Sequence, residues 1–212
     1  MPLEEISAVV SEPDLQTRNH LIAAHLGRLE ASLARTQRAV ASLRDLLEQP
    51  AATASIEHRR VPATHAAAIA ETIDLPDALP WFRGALGELN ATLAAQHLAG
   101  TAPPGGIFDT DLFANERGEA TIFVPCASGL RPLGRVKPFE APAAELAVTL
   151  HSGAYADLDR AYGALATYVA QHALGVDGPV REYYIVSPLD SADESTWRTE
   201  VGWPIFATAT SA

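Results

Sequence analysis

The segments REYYIVS at residues 181–187 and RTEVGWPIF at residues 198–206 decide the fold, because together they predict a β-hairpin. Alternate residues of a strand point to opposite faces of a sheet. One face of the second segment carries Arg198, Glu200 and Gly202. The other, apolar face carries Val201, Trp203 and Ile205. We expect the apolar set to pack beneath helices and Glu200 to lie on an uncovered face.

The predicted elements of residues 56–206, with the hairpin as the last two strands, follow the order strand, helix, strand, strand twice. The second unit has a strand at 144–150, a helix at 155–174 and the hairpin strands. The first unit has a strand at 56–62, a helix at 79–98 and strands at 106–113 and 119–125. The predicted fold class is therefore α+β, built from two β-α-β-β repeats. One helix covers only one sheet face, so we expect a ligand groove on the bare face where the repeats meet.

Residues 1–49 have a different pattern, typical of a helical arm. Apolar and small residues recur there at spacings of three and four, and form the seam Ile22, Leu26, Leu29, Leu33, Thr36, Val40, Leu43 and Leu47. An isolated helix with so narrow a stripe is marginal in water, so the seam needs a second surface. We expect a coiled-coil homodimer through residues 20–48; packing of the helix on its own domain is the alternative. Residues 50–55 predict a linker, and residues 207–212 a tail.

Charge and cysteine content exclude several classes of protein. The chain has 26 acidic and 15 basic residues, a net charge of −11, and Lys137 as its single lysine. It lacks the basic cluster that binds phosphate backbones, so we expect no nucleic-acid binding by this chain alone. The single cysteine, Cys126, excludes a disulfide scaffold and zinc sites of the paired-Cys type, and it favours the cytoplasm. We expect no membrane span, signal peptide, metal site or cofactor.

Acids and aromatic rings in the hairpin point to a binding site. The first hairpin strand carries Glu182, Tyr183 and Tyr184, which we expect within reach of Glu200. An ionised carboxylate in a partly dry aromatic groove costs several kcal/mol unless a cation accompanies it, so a cationic aromatic ligand would fit. The alternative for Glu200 is a surface ion pair with a neighbouring arginine. The alternative for Trp203 is packing in the core.

Three segments together resemble the GyrI-like effector-binding domain, which is also the sensor half of AraC-type and MerR-type regulators. They are HSGAYADLDRAYGAL at 151–165, REYYIV at 181–186 and WRTEVGWPI at 197–205, and the resemblance covers residues 56–206. The N-terminal segments MPLEEISAVV at 1–10 and LIAAHLGRLEASLARTQRAVASLRDLL at 21–47 look like the helix and dimerisation coiled coil of MerR-type regulators. The sequence is thus similar to such a regulator without its winged-helix DNA-binding domain.

The resemblance implies sensing of small molecules that are bulky, hydrophobic and often cationic, as in multidrug-binding proteins. It implies that Glu200 meets the ligand, with support from Glu182, Tyr184 and Tyr155, and from Phe108 and Trp81 of the first unit. The expected ligand-binding set is Glu200, Glu182, Tyr184, Tyr155, Trp203, Phe108 and Trp81.

Other functions stay open at this point. Some GyrI-like proteins resemble hydrolases that open cyclopropane rings in DNA-alkylating natural products, a reaction in which Glu182, Glu200 and Tyr184 could move protons. A drug-sequestering protein and a purely structural dimerisation module are the remaining alternatives.

Overall fold

A computed structural model describes residues 3–48 and 55–207, so the predicted linker and tail lie almost entirely outside the described residues. The chain divides into two compact units, Met1–Pro50 and Ala51–Ala212. The first unit contains helix α1, Leu3–Ser11, and helix α2, Leu15–Glu48. The seam positions Leu43 and Leu47 belong to α2, but their side chains fall outside the described part. Across the described ranges, every helix is too short or too polar to cross a membrane.

In the second unit, residues 55–207 form one eight-stranded sheet and three α-helices. In chain order the elements are β1 Glu57–Val61, β2 Thr64–Asp74, α3 Ala78–Ala95, β3 Gly105–Phe108, α4 Thr110–Ala114, β4 Arg117–Pro125, β5 Lys137–Ala141, β6 Ala144–Ser152, α5 Leu158–Gln171, β7 Val180–Val186 and β8 Arg198–Pro204. A short 3₁₀ turn precedes each of the two long helices, at Leu75–Asp77 before α3 and at Tyr155–Asp157 before α5.

The sheet confirms the α+β class and the twofold repeat. Its strand order is β1-β6-β8-β7-β3-β4-β2-β5, and every pairing is antiparallel. One repeat is β2-α3-β3-β4 and the other is β6-α5-β7-β8, and the two meet where β3 pairs with β7. Each repeat also gains an outer strand from elsewhere in the chain, since β1 pairs with β6 and β5 pairs with β2.

Four details of the predicted strands are wrong. The strand predicted at 56–62 exists as β1, but it joins the second repeat, and the first repeat begins instead with β2. Strand β2 was missed because its alanine-rich sequence, THAAAIAETID, has low strand propensity and is a strand only through its two neighbours. Strand β5 was also missed. Strand β3 ends at Phe108, because the Asp109 side chain accepts a hydrogen bond from the Asp111 amide and starts helix α4.

Helices α3 and α5 pack on the two halves of the sheet and leave its middle uncovered. Helix α3 packs on β2 and β4, and helix α5 packs on β6 and β8. Their apolar stripes bury Leu89 and Leu165 completely, against sheet residues such as Ile122 and Val201. We call this side of the sheet the helix face. The other side, which carries Tyr183 and Glu200, is the opposite face. Between the helices, β3 and β7 form the floor of a gap on the helix face.

Candidate ligand-binding site

A cavity of about 750 Å³ lies on the helix face, over the junction of the two repeats. Its floor comes from β3, β7 and β8, and its walls come from α3, α4, α5 and the 3₁₀ turns that precede α3 and α5. The principal lining side chains are apolar or aromatic: Leu75, Leu79, Phe82, Phe108, Leu112, Phe113, Tyr155, Leu158, Tyr162, Val180, Tyr184 and Trp203. The groove therefore lies where the repeats meet, as expected, but on the helix face rather than on the bare one.

The buried acid in the cavity is Glu182, which is only 8% exposed. Tyr162 of α5 donates a hydrogen bond to its Oε1 at 2.5 Å, and Tyr184 of β7 donates to its Oε2 at 2.8 Å. Burial raises the pKa of Glu182, and the two phenol hydrogen bonds oppose that rise only in part. The pKa values of Tyr162 and Tyr184 are also raised, first by burial and then by the neighbouring carboxylate. Among the described residues, the carboxyl group thus has hydrogen-bond donors but no positive partner.

Glycine at position 106 makes this arrangement possible. Gly106 of β3 lies opposite Glu182 in the ladder. A Cβ atom there would lie 2.9 Å from the Tyr184 hydroxyl oxygen and 2.5 Å from Cε2 of Phe108. Any larger residue would therefore push the Phe108 ring and the Tyr184 hydroxyl out of place. The missing side chain leaves room above β3 for the Tyr184 hydroxyl, which donates to the Glu182 carboxyl group on its own strand.

Aromatic rings pack against one another around the cavity. The Phe82 ring centroid lies 4.6 Å from that of Tyr184 and 5.8 Å from that of Tyr155. Across the cavity, Phe113 of α4 lies 5.5 Å from Tyr162, centroid to centroid. The described lining residues include no Lys, Arg or His, and their second carboxylate, Asp159 of α5, is exposed at the rim. Such a wall favours an apolar guest and, if the guest is charged, a cation.

Glu200, the acid expected to meet the ligand, lies elsewhere. It is on the opposite face, where Arg59 of β1 binds it through two hydrogen bonds, of 2.7 and 3.0 Å. The same guanidinium also pairs with Glu57. The strand register explains the difference, because Glu182 pairs with Val201 while Tyr183 pairs with Glu200, so the two acids point to opposite faces. Glu182 and Glu200 therefore do not share a site, and the Glu200 carboxylate is paired with Arg59 of β1.

The other expected residues divide into two groups. The cavity is lined by Glu182, Tyr184, Tyr155, Trp203 and Phe108. Trp81 does not line it: its ring N–H donates to Glu71 Oε2 at 2.6 Å, and that carboxylate also accepts from Arg135. Their roles in ligand binding stay predictions.

Sequence reasoning missed several wall residues. Phe82 and Tyr162 lie within the two predicted helices and Phe113 within the strand predicted at 106–113, and none of the three was among the expected ligand-binding residues. One signal in the sequence could have indicated Tyr162: it is a tyrosine among the apolar residues of a predicted helix, and a buried hydroxyl needs a polar partner.

The fold and this cavity agree with a known family. Residues 55–205 match the GyrI-like small-molecule-binding domain, about as much of the chain as the three motifs had indicated. The chain belongs to the GyrI-like family. No curated protein sequence matches it significantly.

Solved structures of GyrI-like and related proteins share the fold at low sequence identity. EcmrR, a MerR-type regulator solved in complex with DNA, aligns with 97% of this chain and 77% of its own, with TM-score 0.65 and 15% identity. A hydrolase from Listeria innocua aligns with 76% of this chain and 98% of its own, with TM-score 0.53 and 12% identity. SAV2435, solved with bound tetraphenylphosphonium, aligns with 71% of this chain and 93% of its own, with TM-score 0.52 and 12% identity.

Proposed function

We propose that this GyrI-like chain is the effector-binding part of a MerR-type transcriptional regulator and that its cavity binds bulky, hydrophobic and often cationic molecules. The observation that carries the proposal is the Glu182 carboxyl group, buried in an aromatic cavity whose described lining has no basic residue. In this proposal Glu182 takes the role that the sequence had assigned to Glu200.

The physical case starts from the charge. An ionised carboxylate in an apolar cavity is unfavourable alone, and a cation entering the same cavity restores neutrality. Aromatic faces add cation–π attraction, here from rings such as Tyr155 and Trp203. A ligand whose charge is shielded by aryl groups also needs no hydrogen-bond acceptors, which matters because both Glu182 oxygens already accept from tyrosines. Loose apolar walls with one charged contact favour broad rather than narrow specificity.

The setting within a regulator is supported by two observations. The fold likeness to EcmrR extends over nearly the whole chain, helical unit included. In addition, helix α2 exposes a row of apolar side chains, from 46% to 58% exposed: Ile22, Leu26, Leu29, Leu33 and Val40. A heptad-spaced apolar row of this kind is typical of a helix that pairs with another helix. We propose that a second copy of α2 covers it, giving a homodimer through residues 20–48.

Tetraphenylphosphonium and tetraphenylborate provide a direct test of the cavity's charge preference. Both carry four phenyl groups on a central atom, but their charges are opposite. We expect calorimetric titration to detect binding of the phosphonium and to detect none, or much weaker binding, of the borate. Equal affinity for the two ions would contradict the proposal.

Two matched substitutions locate the charge contact. Glu182→Gln and Glu200→Gln each remove one carboxylate from adjacent strands, but from opposite faces of the sheet. We expect Glu182→Gln to weaken phosphonium binding by about tenfold to a hundredfold, since two opposite unit charges about 6–8 Å apart attract by about 2–3 kcal/mol at an effective dielectric constant of about 20. Glu200→Gln should leave the affinity within about twofold. The reverse result would assign the ligand to the opposite face.

A second candidate function is hydrolysis of cyclopropane-containing natural products. It is favoured by one observation: the Glu182 carboxyl group, with its raised pKa and two phenols in contact, is suited to deliver a proton inside a cavity. Incubation with such a compound distinguishes the two functions. An enzyme turns over many equivalents and loses that turnover in Glu182→Gln, whereas a sensor or sequestering protein leaves the compound intact or consumes about one equivalent.

A further inference from the structure

The negative charge of an ionised Glu182 has no positive partner among the described lining residues of the cavity. These residues include no Lys, Arg or His, and the nearest hydrogen-bond donors are neutral phenols. Hydrogen bonds from phenols stabilise a carboxylate but do not cancel its charge. In a residue only 8% exposed, solvent also provides little compensation. The remaining sources of positive charge are a proton on the carboxyl group itself and a cationic ligand.

The groups that face Glu182 come from every element around it. Helix α5 contributes Tyr162 and, at the rim, Asp159; β7 contributes Tyr184; and the 3₁₀ turn before α5 contributes Tyr155. The side chains that line the cavity from α3, α4, β3, β8 and the 3₁₀ turn before α3 do not titrate; they are Leu75, Ala78, Leu79, Phe82, Phe108, Thr110, Leu112, Phe113, Ala114 and Trp203.

The phenols around the carboxyl group stay neutral over the physiological range. Burial raises the pKa of Tyr155, Tyr162 and Tyr184, and the negative charge of Glu182 raises each further. More remote charges on Arg83 and Asp190 act on Tyr155 with opposite signs. The buried carboxyl group of Glu182, whose pKa burial raises, is therefore the group in the described cavity whose protonation can change at pH values above the ordinary glutamate pKa of about 4.3.

We propose that a proton and the hydrophobic cation compete for the Glu182 carboxyl group, so that binding of the cation releases a proton to solvent. This inference rests on the proposed cation-binding function. The step balances without a further reactant: the protonated carboxyl group and the free cation become a carboxylate–cation pair and one proton in solution. Tyr162 and Tyr184 act as positioning residues, since they hold the two carboxylate oxygens in place while the cation enters.

The competition has a definite pH signature. At pH values where free Glu182 is protonated, the association constant rises about tenfold per pH unit, because one proton leaves for each ligand bound. At pH values where free Glu182 is ionised, the association constant is flat. At a cation site with an ordinary exposed carboxylate, the association constant would already be nearly independent of pH above about pH 5.

The experiment is calorimetric titration of the full chain with tetraphenylphosphonium, from about pH 5 to about pH 8. At each pH the titration is repeated in two buffers with different ionisation enthalpies, which counts released protons without any substitution. We expect release of up to about one proton per ligand at the acidic end, falling towards zero as pH rises.

Three variants assign the proton. Glu182→Gln should bind more weakly and lose the pH dependence, whereas Asp159→Asn, the rim control, should retain it. Tyr162→Phe removes one hydrogen bond that stabilises the carboxylate, so the pH above which the affinity is flat should move upward. The last variant separates a positioning role from a merely structural one, because a structural defect would lower affinity equally at every pH.

The possible failures are distinguishable. Phosphonium binding with no pH dependence and no proton release overturns the competition but leaves the proposed function standing. A pH dependence that disappears in Asp159→Asn and persists in Glu182→Gln also overturns it. Absence of phosphonium binding at every pH overturns both the inference and the cation-binding function on which it rests.

Discussion

Replacing Gly106 by alanine is the sharpest test of how the site is built. The new Cβ would lie 2.5 and 2.7 Å from two carbons of the Phe108 ring and 2.9 Å from the Tyr184 hydroxyl oxygen. The ring and the hydroxyl must both move, and the 2.8 Å hydrogen bond from Tyr184 to Glu182 breaks. Overpacking of this kind costs about 1–3 kcal/mol, and loss of a hydrogen bond to a carboxyl group about 1–3 kcal/mol.

We therefore expect Gly106→Ala to lower the free energy of unfolding by about 2–6 kcal/mol, measured by urea denaturation. Tyr184→Phe removes the hydroxyl without adding volume. In that background Gly106→Ala should cost about 1–3 kcal/mol less, because the hydrogen bond that it would break no longer exists. The double-mutant cycle thus reports the Gly106–Tyr184 contact even if Gly106→Ala itself is only marginally stable.

Gly87→Ala is the matched control. It lies in helix α3, is exposed, and a Cβ there would meet nothing within 4 Å. We expect it to stabilise the protein by up to about 1 kcal/mol, as glycine is unfavourable inside a helix. The reasoning fails if Gly106→Ala changes stability by less than about 0.5 kcal/mol. It also fails, for the Tyr184 hydroxyl, if the cost of Gly106→Ala is the same in both backgrounds.

Three further predictions concern charge and assembly. Because burial raises the pKa of Glu182 in the folded state, the carboxyl group favours folding when protonated, so wild type should lose stability relative to Glu182→Gln as pH rises above the unfolded-state pKa of about 4.3. Arg59→Ala should lower the free energy of unfolding by only about 0.5–1 kcal/mol, since its side chain is 39% exposed, and should leave phosphonium affinity unchanged. Leu33→Glu places a charge in the α2 seam and should convert the dimer to monomer by sedimentation.

Each of these has an outcome that contradicts it. A stability difference between wild type and Glu182→Gln that is constant with pH would mean that the carboxyl group titrates alike in the folded and unfolded chain. Loss of ligand affinity in Arg59→Ala would connect the opposite face to the cavity. For the seam, Ala24→Glu is the control, because it adds a negative charge to an exposed position of α2 on the side away from the apolar row, and dissociation by both variants would argue against a specific seam.

Part of the site could be predicted because it depends on alternation along one strand. The apolar set of β8 does face the helices: Val201 is fully buried and Trp203 lines the cavity. The position of the cavity at the junction of two repeats also followed from the order of elements. These features depend on residues close together in the chain, whose side-chain directions are dictated by backbone geometry.

The identity of the acid could not be predicted in this way. Glu182 and Tyr184 share one face of β7, but which face depends on the register between β7 and β8. The connection between these strands runs from Ser187 to Trp197, too long for a tight turn to set that register, and the ladder shifts between Tyr184 and Val186. A shift of one residue would have brought Glu200 to the helix face instead.

Local pattern was enough to establish the second β-α-β-β repeat, the helix and last two strands of the first repeat, and a heptad-spaced helix, because these follow from intrinsic periodicity and propensity. Pairing between distant segments decided the rest. Strand β1 pairs with β6 at one edge of the sheet, and Arg59 of β1 therefore binds Glu200, which lies 141 positions away in the sequence. Helix α5 packs on the sheet so that Tyr162 donates to Glu182 of β7. Such contacts depend on how whole layers pack and on which register buries the most apolar surface, and no stretch of neighbouring residues contains that information.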